Sequence, residues 1–258
     1  MGSSVVDLGP GLAVALVLLA VLAAVAGRLS GLGQGRPVLV ASARAALQLA
    51  VVSAVLVAVV GSLALAAAFV LLMVTVAAVT AAGRATGLVL RSPGAPRRVA
   101  AAAAAIGVGA TPAVALVLAS GTVPLRGAAV IPIAGILVGG AMTATSLAGR
   151  RMREELTARR GEVEAALALG LPRREALLEI GRPAAATALV PPLDQTRTVG
   201  LVTLPGAFVG VLLGGGGPLE AGAAQLLVLV GLLAAETVAV WVVTELVGRG
   251  RLLTGMPR

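Results

Sequence analysis

Long apolar segments separated by short polar connections make up most of this chain of 258 residues. Seven such segments carry almost no charge, and each has the roughly 18 or more residues that a helix needs to cross the hydrocarbon core of a bilayer. They are Pro10–Gly27, Val40–Val60, Leu63–Ala82, Val99–Ala119, Ala128–Ala148, Leu193–Leu213 and Ala223–Val247. The pattern therefore predicts an all-α, polytopic membrane protein with about seven transmembrane helices, arranged as a single domain over residues 1–258.

One long polar stretch, residues 149–192, lies between the fifth and sixth segments. Within it, Ala165, Ala166 and Leu169 recur at helical spacing, which predicts an amphipathic helix. Gly170 follows directly, and glycine most readily adopts the left-handed conformation that ends a helix. Pro172 suits the first turn of a second helix. We therefore expect a helix, a sharp turn and a second helix, and we call residues 162–174 the elbow.

The arginines are distributed unevenly among the connections. If the N-terminus lies outside the cell, nearly all of them fall on the inner side, including those of the 149–192 loop, whereas Arg126 falls outside. Enrichment of basic residues in cytoplasmic loops is the positive-inside rule. We therefore expect a multi-pass protein of the cell membrane with its N-terminus outside and its C-terminus and polar loop in the cytoplasm. Since no basic residue precedes the first segment, we expect a retained helix there and not a cleaved signal peptide.

Cysteine, histidine and lysine are missing, and each of these absences excludes a class of chemistry. The chain has no cysteine and no histidine, which excludes disulfides and any catalysis or metal binding through these side chains. All 20 basic residues are arginine, so the lysine of a GxxxxGK[ST] phosphate-binding loop is missing as well. We expect a protein that is not an enzyme and holds no cofactor of its own. The net charge of +9 is spread over short loops between apolar segments and does not indicate nucleic-acid binding.

The polar stretch contains a spaced pattern: Glu164-Ala165-Ala166, three residues, Gly170, nine residues, Ile180, two residues and Pro183. This spacing resembles the EAA loop of ABC-transporter permeases, the segment that docks on the partner ATPase. The resemblance implies that a separate ATP-binding subunit, which binds ATP and Mg, contacts the elbow. The implied contact residues are Glu162, Glu164, Ala165, Ala166, Leu169, Gly170, Leu171 and Arg173. The alternative is an ordinary amphipathic helix on the membrane surface.

Further motifs follow one another along the chain. They are ARAALQLAVV from Ala43, IPIAGILVGGAM from Ile131, VPPLDQTRTVGLVTLPGAFVG from Val190 and GPLEAGAAQ from Gly217. Together they resemble the FetB-like permease family, the membrane subunits of iron-export ABC transporters, to which plant aluminium-tolerance permeases are related. The resemblance implies a permease domain that forms a homodimer in the lipid membrane, pairs with the ATP-binding subunit and exports metal ions such as iron.

The chain departs from that family's pattern in two segments. Ile136 and Gly140 in the fifth segment, and Ala207 and Phe208 in the sixth, stand where the family is expected to carry thioether and amide side chains. We therefore assign no metal ligands. An ABC permease for a non-metal substrate, such as a sugar nucleotide or a lipid, remains an alternative.

Polar residues, a methionine and a proline within or beside the segments are the candidates for a substrate path. They are Arg44, Gln48, Met142, Asp194, Thr198, Pro205, Gln225 and Glu236. An unpaired carboxylate at the bilayer centre costs about 2.5–3.5 kcal/mol, so Glu236 is expected to face the interior. It lies there either on the substrate path or in a structural hydrogen bond with a side chain such as Arg44, Gln48 or Gln225, unless the helix register places it nearer the membrane interface. Asp194 is either a gate or the partner of Arg197 in a surface ion pair.

Two further alternatives stay open at these residues. Pro205–Gly206 either breaks the sixth helix beside a substrate cavity or produces a simple kink. In addition, Glu236 and Asp194 could serve as the ion sites of a secondary transporter, a different class of protein that needs no ATP-binding partner.

Overall fold

The structure is a computed structural model, and it describes residues 9–87 and 92–253. Its α-helices are α1 (Pro10–Leu29), α2 (Gly35–Val59), α3 (Leu63–Thr86), α4 (Ala95–Ala119), α5 (Gly127–Ala158), α6 (Arg160–Ala168), α7 (Arg173–Ala186), α8 (Val190–Thr198), α9 (Gly206–Leu213) and α10 (Pro218–Gly248), with a short 3-10 helix, Thr187–Leu189, before α8. Of these described helices, α1 to α5 and α10 are long and apolar enough to cross a membrane. The predicted all-α, polytopic membrane protein is confirmed.

Contacts divide the chain into two compact units, Met1–Gly61 and Ser62–Arg258. The first, which we call the N-terminal unit, contains α1 and α2 packed on each other. The second, the C-terminal unit, contains all later helices. Its first helix begins with a cap, because the Ser62 hydroxyl accepts a hydrogen bond from the Leu65 amide at 3.4 Å. The second and third predicted segments are therefore separate helices.

In the C-terminal unit, α3, α5 and α10 run parallel, and α4 runs against them. A Cβ added at Gly135 of α5 would lie 2.9 Å from the Met73 Cε of α3, and one added at Gly149 would lie 2.6 Å from the Ala85 Cβ. Close approaches at the glycines of the other helices show the directions of α4 and α10 in the same way. We call the end at which α3, α5 and α10 finish the loop end, and the opposite end the far end.

The interior of the C-terminal unit has two parts of different composition. Between α3, α4, α5 and α10 it is made mainly of alanines. Small residues let membrane helices pack closely, which compensates for the absence of a hydrophobic driving force in lipid. Thus a Cβ at Gly109 would lie only 2.5 Å from the Ala235 carbonyl oxygen. At the loop end larger side chains join α5, α6, α7 and α10 in a second cluster, which includes Met152, Leu156 and Leu177.

The sixth predicted segment, Leu193–Leu213, is not one helix, so that prediction is wrong. It consists of α8, an irregular turn over residues 199–205, and α9. Gly200 has φ +82° in the turn, and Pro205 precedes α9 without a backbone donor. α7 packs at the loop end, whereas α9 packs beside Gln225 near the start of α10. This part of the chain therefore returns from the loop end to the far end in short pieces.

Candidate functional site

The elbow follows an extension of α5, which runs to Ala158 and beyond the predicted end at Ala148. After α6 the chain turns at Gly170, whose φ is +88°. The Gly170 amide donates to the Leu167 carbonyl at 3.0 Å, and the Leu171 amide donates to the Ala166 carbonyl at 3.1 Å. These two bonds form a Schellman motif, which confirms Gly170 as the residue that ends the helix.

The tip of the elbow is apolar and exposed. Leu169 is 83% exposed and Leu171 is 36% exposed. Among the other predicted contact residues, Glu162, Glu164, Ala165 and Gly170 are exposed, whereas Ala166 and Arg173 are half-buried. Burying a leucine fully stabilises a protein by about 1.5–3 kcal/mol relative to leaving it in water. The tip therefore presents apolar side chains outside the packed interior of its unit.

The two helices that carry the elbow, α6 and α7, form its base and are anchored in the C-terminal unit. Val163 of α6 and Leu177 of α7 are fully buried. A Cβ at Gly181 of α7 would lie 2.7 Å from the Met152 Cε of α5, so these two helices are closely packed. On the other side of α7, the Arg174 Nη2 lies 2.6 Å from the Glu245 Oε1 of α10. A displacement of the elbow would therefore be transmitted to both α5 and α10.

Arg159 joins α5 to α6. Its Nε donates to the Glu162 Oε1 at 2.7 Å, and its Nη1 donates to the Glu155 Oε1 at 3.2 Å. The hydrogen bond from Arg159 lowers the pKa of the Glu162 carboxyl below its usual value. A lowered pKa in the folded state means a contribution to stability that is present above the ordinary glutamate pKa and is lost as the pH falls through the folded value. The joint between α5 and α6 is therefore intact at neutral pH.

Asp194 and Arg197 form the surface ion pair that was one of the two alternatives for them. The Arg197 Nη1 lies 3.3 Å from the Asp194 Oδ1, and the two side chains are 71% and 59% exposed. The Thr198 hydroxyl donates to the Asp194 carbonyl at 2.9 Å. All residues of α8 and α9 are described and none is buried, and Leu201 between these helices is 91% exposed. The sixth predicted segment, which we call the broken segment, thus presents both charge and irregular backbone at the surface of its unit.

Gln225 holds α9 in place. Its buried Oε1 accepts a hydrogen bond from the Phe208 amide at 3.1 Å. Amides in the first turn of a helix lack an acceptor within the helix, so Gln225 acts here as a capping side chain. Beside this contact, α5, α9 and α10 border an apolar groove of about 580 Å³, whose lining includes Pro132, Ala207 and Leu227.

Glu236 is a residue of α10 whose side chain lies against α5, and it is only 6% exposed. No described residue forms a hydrogen bond with its Oε2. The hydrogen bond considered with Gln225 is not formed, because Gln225 and Glu236 lie on the same helix, about 16 Å apart along its axis at a rise of 1.5 Å per residue. A Cβ at Gly140 would lie 2.7 Å from the Glu236 Oε1. The carboxylate therefore lies against α5 where the chain departs from the FetB-like pattern.

The other predicted path residues lie elsewhere. Arg44 and Gln48 are one turn apart on α2 of the N-terminal unit, and both are exposed. Met142 is half-buried against the alanine-rich interior, and Pro205 is the residue before α9. Among the described residues, no group of three or more His, Cys, Asp or Glu side chains could hold a metal ion.

Sequence reasoning missed the residues that anchor the elbow. Arg174 and Glu245 are 71 positions apart, so no local pattern could pair them. Leu177 and Val163 lie in predicted helices, but their burial depends on a cluster contributed by α5 and α10. Arg159 did have a local signal, because acidic residues stand four positions before and three positions after it.

Comparisons with known proteins identify the family to which this chain belongs. The model of a family described as Uncharacterised protein family (UPF0014) matches residues 10–251. The chain belongs to the UPF0014 family. The UPF0014 membrane protein STAR2 of Oryza sativa subsp. japonica is 39% identical over 236 residues, which cover 90% of this chain and 79% of that protein. No solved structure matches the chain.

Two further relatives of this UPF0014 chain match it over shorter stretches than STAR2 does. Protein ALUMINUM SENSITIVE 3 of Arabidopsis thaliana is 44% identical over 109 residues, 42% of this chain and 40% of the plant protein. The protein named "Probable iron export permease protein FetB" of Escherichia coli (strain K12) is 34% identical over 124 residues, 48% of each chain. The resemblance to FetB-like permeases is confirmed, and the chain is a multi-pass protein of a membrane permease family.

Proposed function

We propose that this UPF0014 protein is the membrane subunit of an ABC transporter and that the elbow docks on a separate ATP-binding subunit. The observation that carries the proposal is the exposed tip at Leu169 on a base anchored by Val163 and Leu177. The EAA-like spacing of the same stretch supports it. Because the chain has no lysine for a phosphate-binding loop, ATP and Mg belong to the partner.

The anchored base supplies a mechanism for alternating access. When the ATP-binding subunits close, they displace the elbow. Close packing at Gly181 carries this displacement to α5, and the Arg174–Glu245 ion pair carries it to α10. The side chain of Glu236 lies between α10 and α5, the two helices that would move. A change in their packing would therefore change the exposure of this carboxylate.

The distribution of charge supports an orientation in the cell membrane. In the C-terminal unit the arginines of α6, α7 and the ends of α3, α5 and α10 lie at the loop end, whereas Arg126 precedes α5 at the far end. By the positive-inside rule the loop end faces the cytoplasm. The elbow then lies where a soluble ATP-binding subunit can reach it.

The proposed substrate is a metal ion such as iron, moved outward. The name of the E. coli relative supports this substrate. In this chain Glu236 supplies a carboxylate oxygen without a described partner inside the helix bundle. A single carboxylate would bind a cation weakly and with little selectivity. Weak binding suits a transporter because the substrate must leave again.

A second candidate substrate is an apolar molecule such as a lipid. The groove of about 580 Å³ between α5, α9 and α10 favours it, because its lining residues are all apolar. This groove lies at the far end, beside the Gln225 contact with α9. It would suit a hydrocarbon chain better than a hydrated cation.

The permease is proposed to work as a homodimer that meets at the broken segment. Irregular backbone is not tolerated against lipid, and membrane-depth charges face a protein or water. Residues 199–205 supply irregular backbone, the neighbouring Asp194–Arg197 pair supplies exposed charge, and Leu201 within the irregular backbone is strongly exposed. A second copy of the chain would cover this surface and give each ATP-binding subunit one elbow.

Reconstitution tests the function and the substrate together. The permease and its ATP-binding subunit are incorporated into proteoliposomes, and the ATPase rate is measured with iron, other metal ions, sugar nucleotides and lipids. We expect stimulation by metal ions. Stimulation by organic compounds alone would replace the metal with the second candidate. Transport without any ATP-binding subunit would contradict the ABC assignment and favour the ion-coupled carrier.

A further inference from the structure

A groove of about 510 Å³ lies between α1 and α2 in the N-terminal unit, next to the connection between these helices. Along the helices its lining is apolar and includes Val21, Val25 and Leu39. At the connection its lining includes Arg28 and Arg36. The groove therefore combines an apolar channel with two cations at one end.

Close packing of the two helices brings these arginines to the same opening. A Cβ added at Gly35 would lie 2.8 Å from the Ala24 carbonyl oxygen and 3.3 Å from the Arg28 Cβ. The first turn of α2, which carries Arg36, thus lies directly against the last turns of α1, which carry Arg28. Both side chains are exposed.

Neither guanidinium has a hydrogen bond or an ion pair with any residue that the structure describes. Some other arginines, such as Arg159 and Arg174, are instead paired with carboxylates. Two neighbouring unpaired guanidiniums repel each other and attract an anion. A guanidinium presents a planar set of donors that matches the oxygens of a phosphate group.

We propose that this groove binds one anionic phospholipid. The headgroup phosphate lies between Arg28 and Arg36, and an acyl chain follows Val21, Val25 and Leu39. The charge at the connection explains a preference for an anionic headgroup, since basic residues at the membrane surface attract anionic lipids. The apolar lining distinguishes this site from one for free phosphate, which would leave most of the groove unfilled. The site is independent of the transported substrate and of the ATP-binding partner.

Fluorescence quenching by brominated lipids tests the proposal in the full chain. Trp241 is the only tryptophan, so a Trp241→Phe, Val25→Trp variant reports on the groove alone. The variant is reconstituted in vesicles that contain a trace of phosphatidylglycerol or phosphatidylcholine with brominated acyl chains. We expect stronger quenching by the anionic lipid. Each arginine contributes about fivefold to this preference, so Arg28→Gln with Arg36→Gln should remove it.

Arg126→Gln is the matched control, because this arginine is also exposed and lies outside the groove. It should leave the preference unchanged. Native mass spectrometry of chains with Val25 intact should show one retained phosphatidylglycerol, lost in the double arginine variant. The proposal would be overturned if both lipids quenched the Trp241→Phe, Val25→Trp variant equally. It would also be overturned if the preference for the anionic lipid survived the double arginine substitution. A preference abolished by millimolar inorganic phosphate at constant ionic strength would show a free-phosphate site instead.

Discussion

At Gly170 the backbone has φ +88°, a conformation that costs other residues about 1–2 kcal/mol. Valine at this position would oppose the Schellman turn and change the direction in which α7 leaves α6. We expect Gly170→Val to insert normally but to lose most ATPase coupling. Gly161→Val is the control, because Gly161 is helical and has space for a side chain. Coupled ATPase activity of the reconstituted complex measures the effect, and normal coupling in Gly170→Val would count against the docking role.

Substitution of Glu236 tests whether its carboxylate lies on the substrate path. Replacing its carboxylate with an amide keeps the size and removes the charge that a cation would need. We expect Glu236→Gln to assemble with the ATP-binding subunit but to lose metal-stimulated ATPase activity by about tenfold or more, which corresponds to about 1.4 kcal/mol. Thr145→Val is the control, because Thr145 is likewise buried with an oxygen that has no described partner. Unchanged stimulation in Glu236→Gln would exclude it from the path.

The sequence predicts single residues well where the cause is local. Gly170 follows an apolar helical stripe, and only a glycine tolerates its conformation easily, so its role was visible in the pattern. The partners of Gln225 and Arg174 were not visible. Their contacts with Phe208 and Glu245 depend on where two helices distant in the chain finally pack.

Among the elements, the seam between α4 and α10 allows a stability prediction. A Cβ at Gly109 would lie 2.5 Å from a backbone oxygen of α10, which cannot move independently of its helix. Overpacking of this kind costs about 1–3 kcal/mol. We expect Gly109→Ala to lower the melting temperature of the purified protein in detergent, while Gly107→Ala, where no atom lies within 4 Å, leaves it unchanged or slightly raised. Equal melting temperatures would show that the two helices do not approach this closely.

Hydropathy predicted the continuous spans because each is an apolar helix of membrane length. It could not predict the break in the sixth segment. Leu193–Leu213 is apolar over the right length, and its glycines and its proline are compatible with either a kink or a separation into two helices. In the structure Gln225 of α10 supplies the acceptor for the first turn of α9, a contact that the local sequence does not show.

At the scale of the whole molecule, single cysteines test orientation and assembly, because the native chain has none. In intact cells a membrane-impermeant maleimide should label Thr122→Cys at the far end, but should reach Leu169→Cys only after permeabilisation. Labelling of Leu169→Cys from outside would reverse the orientation.

Crosslinking tests the dimer interface. Leu201→Cys should give a crosslinked dimer with a flexible bismaleimide, whereas the similarly exposed Leu219→Cys should not. Failure of Leu201→Cys to crosslink would move the dimer interface elsewhere.

The central claim is that the exposed tip of the elbow binds a separate ATP-binding subunit, and co-purification of the two proteins tests it most directly. Leu169→Glu places a charge at the tip, and Thr157→Glu places the same charge on the exposed extension of α5 as a control. Losing the burial of one leucine should reduce the ATP-binding subunit recovered with the permease by about tenfold or more. We predict this loss in Leu169→Glu and full recovery in Thr157→Glu. Full recovery in Leu169→Glu, with the variant correctly inserted, would contradict the account.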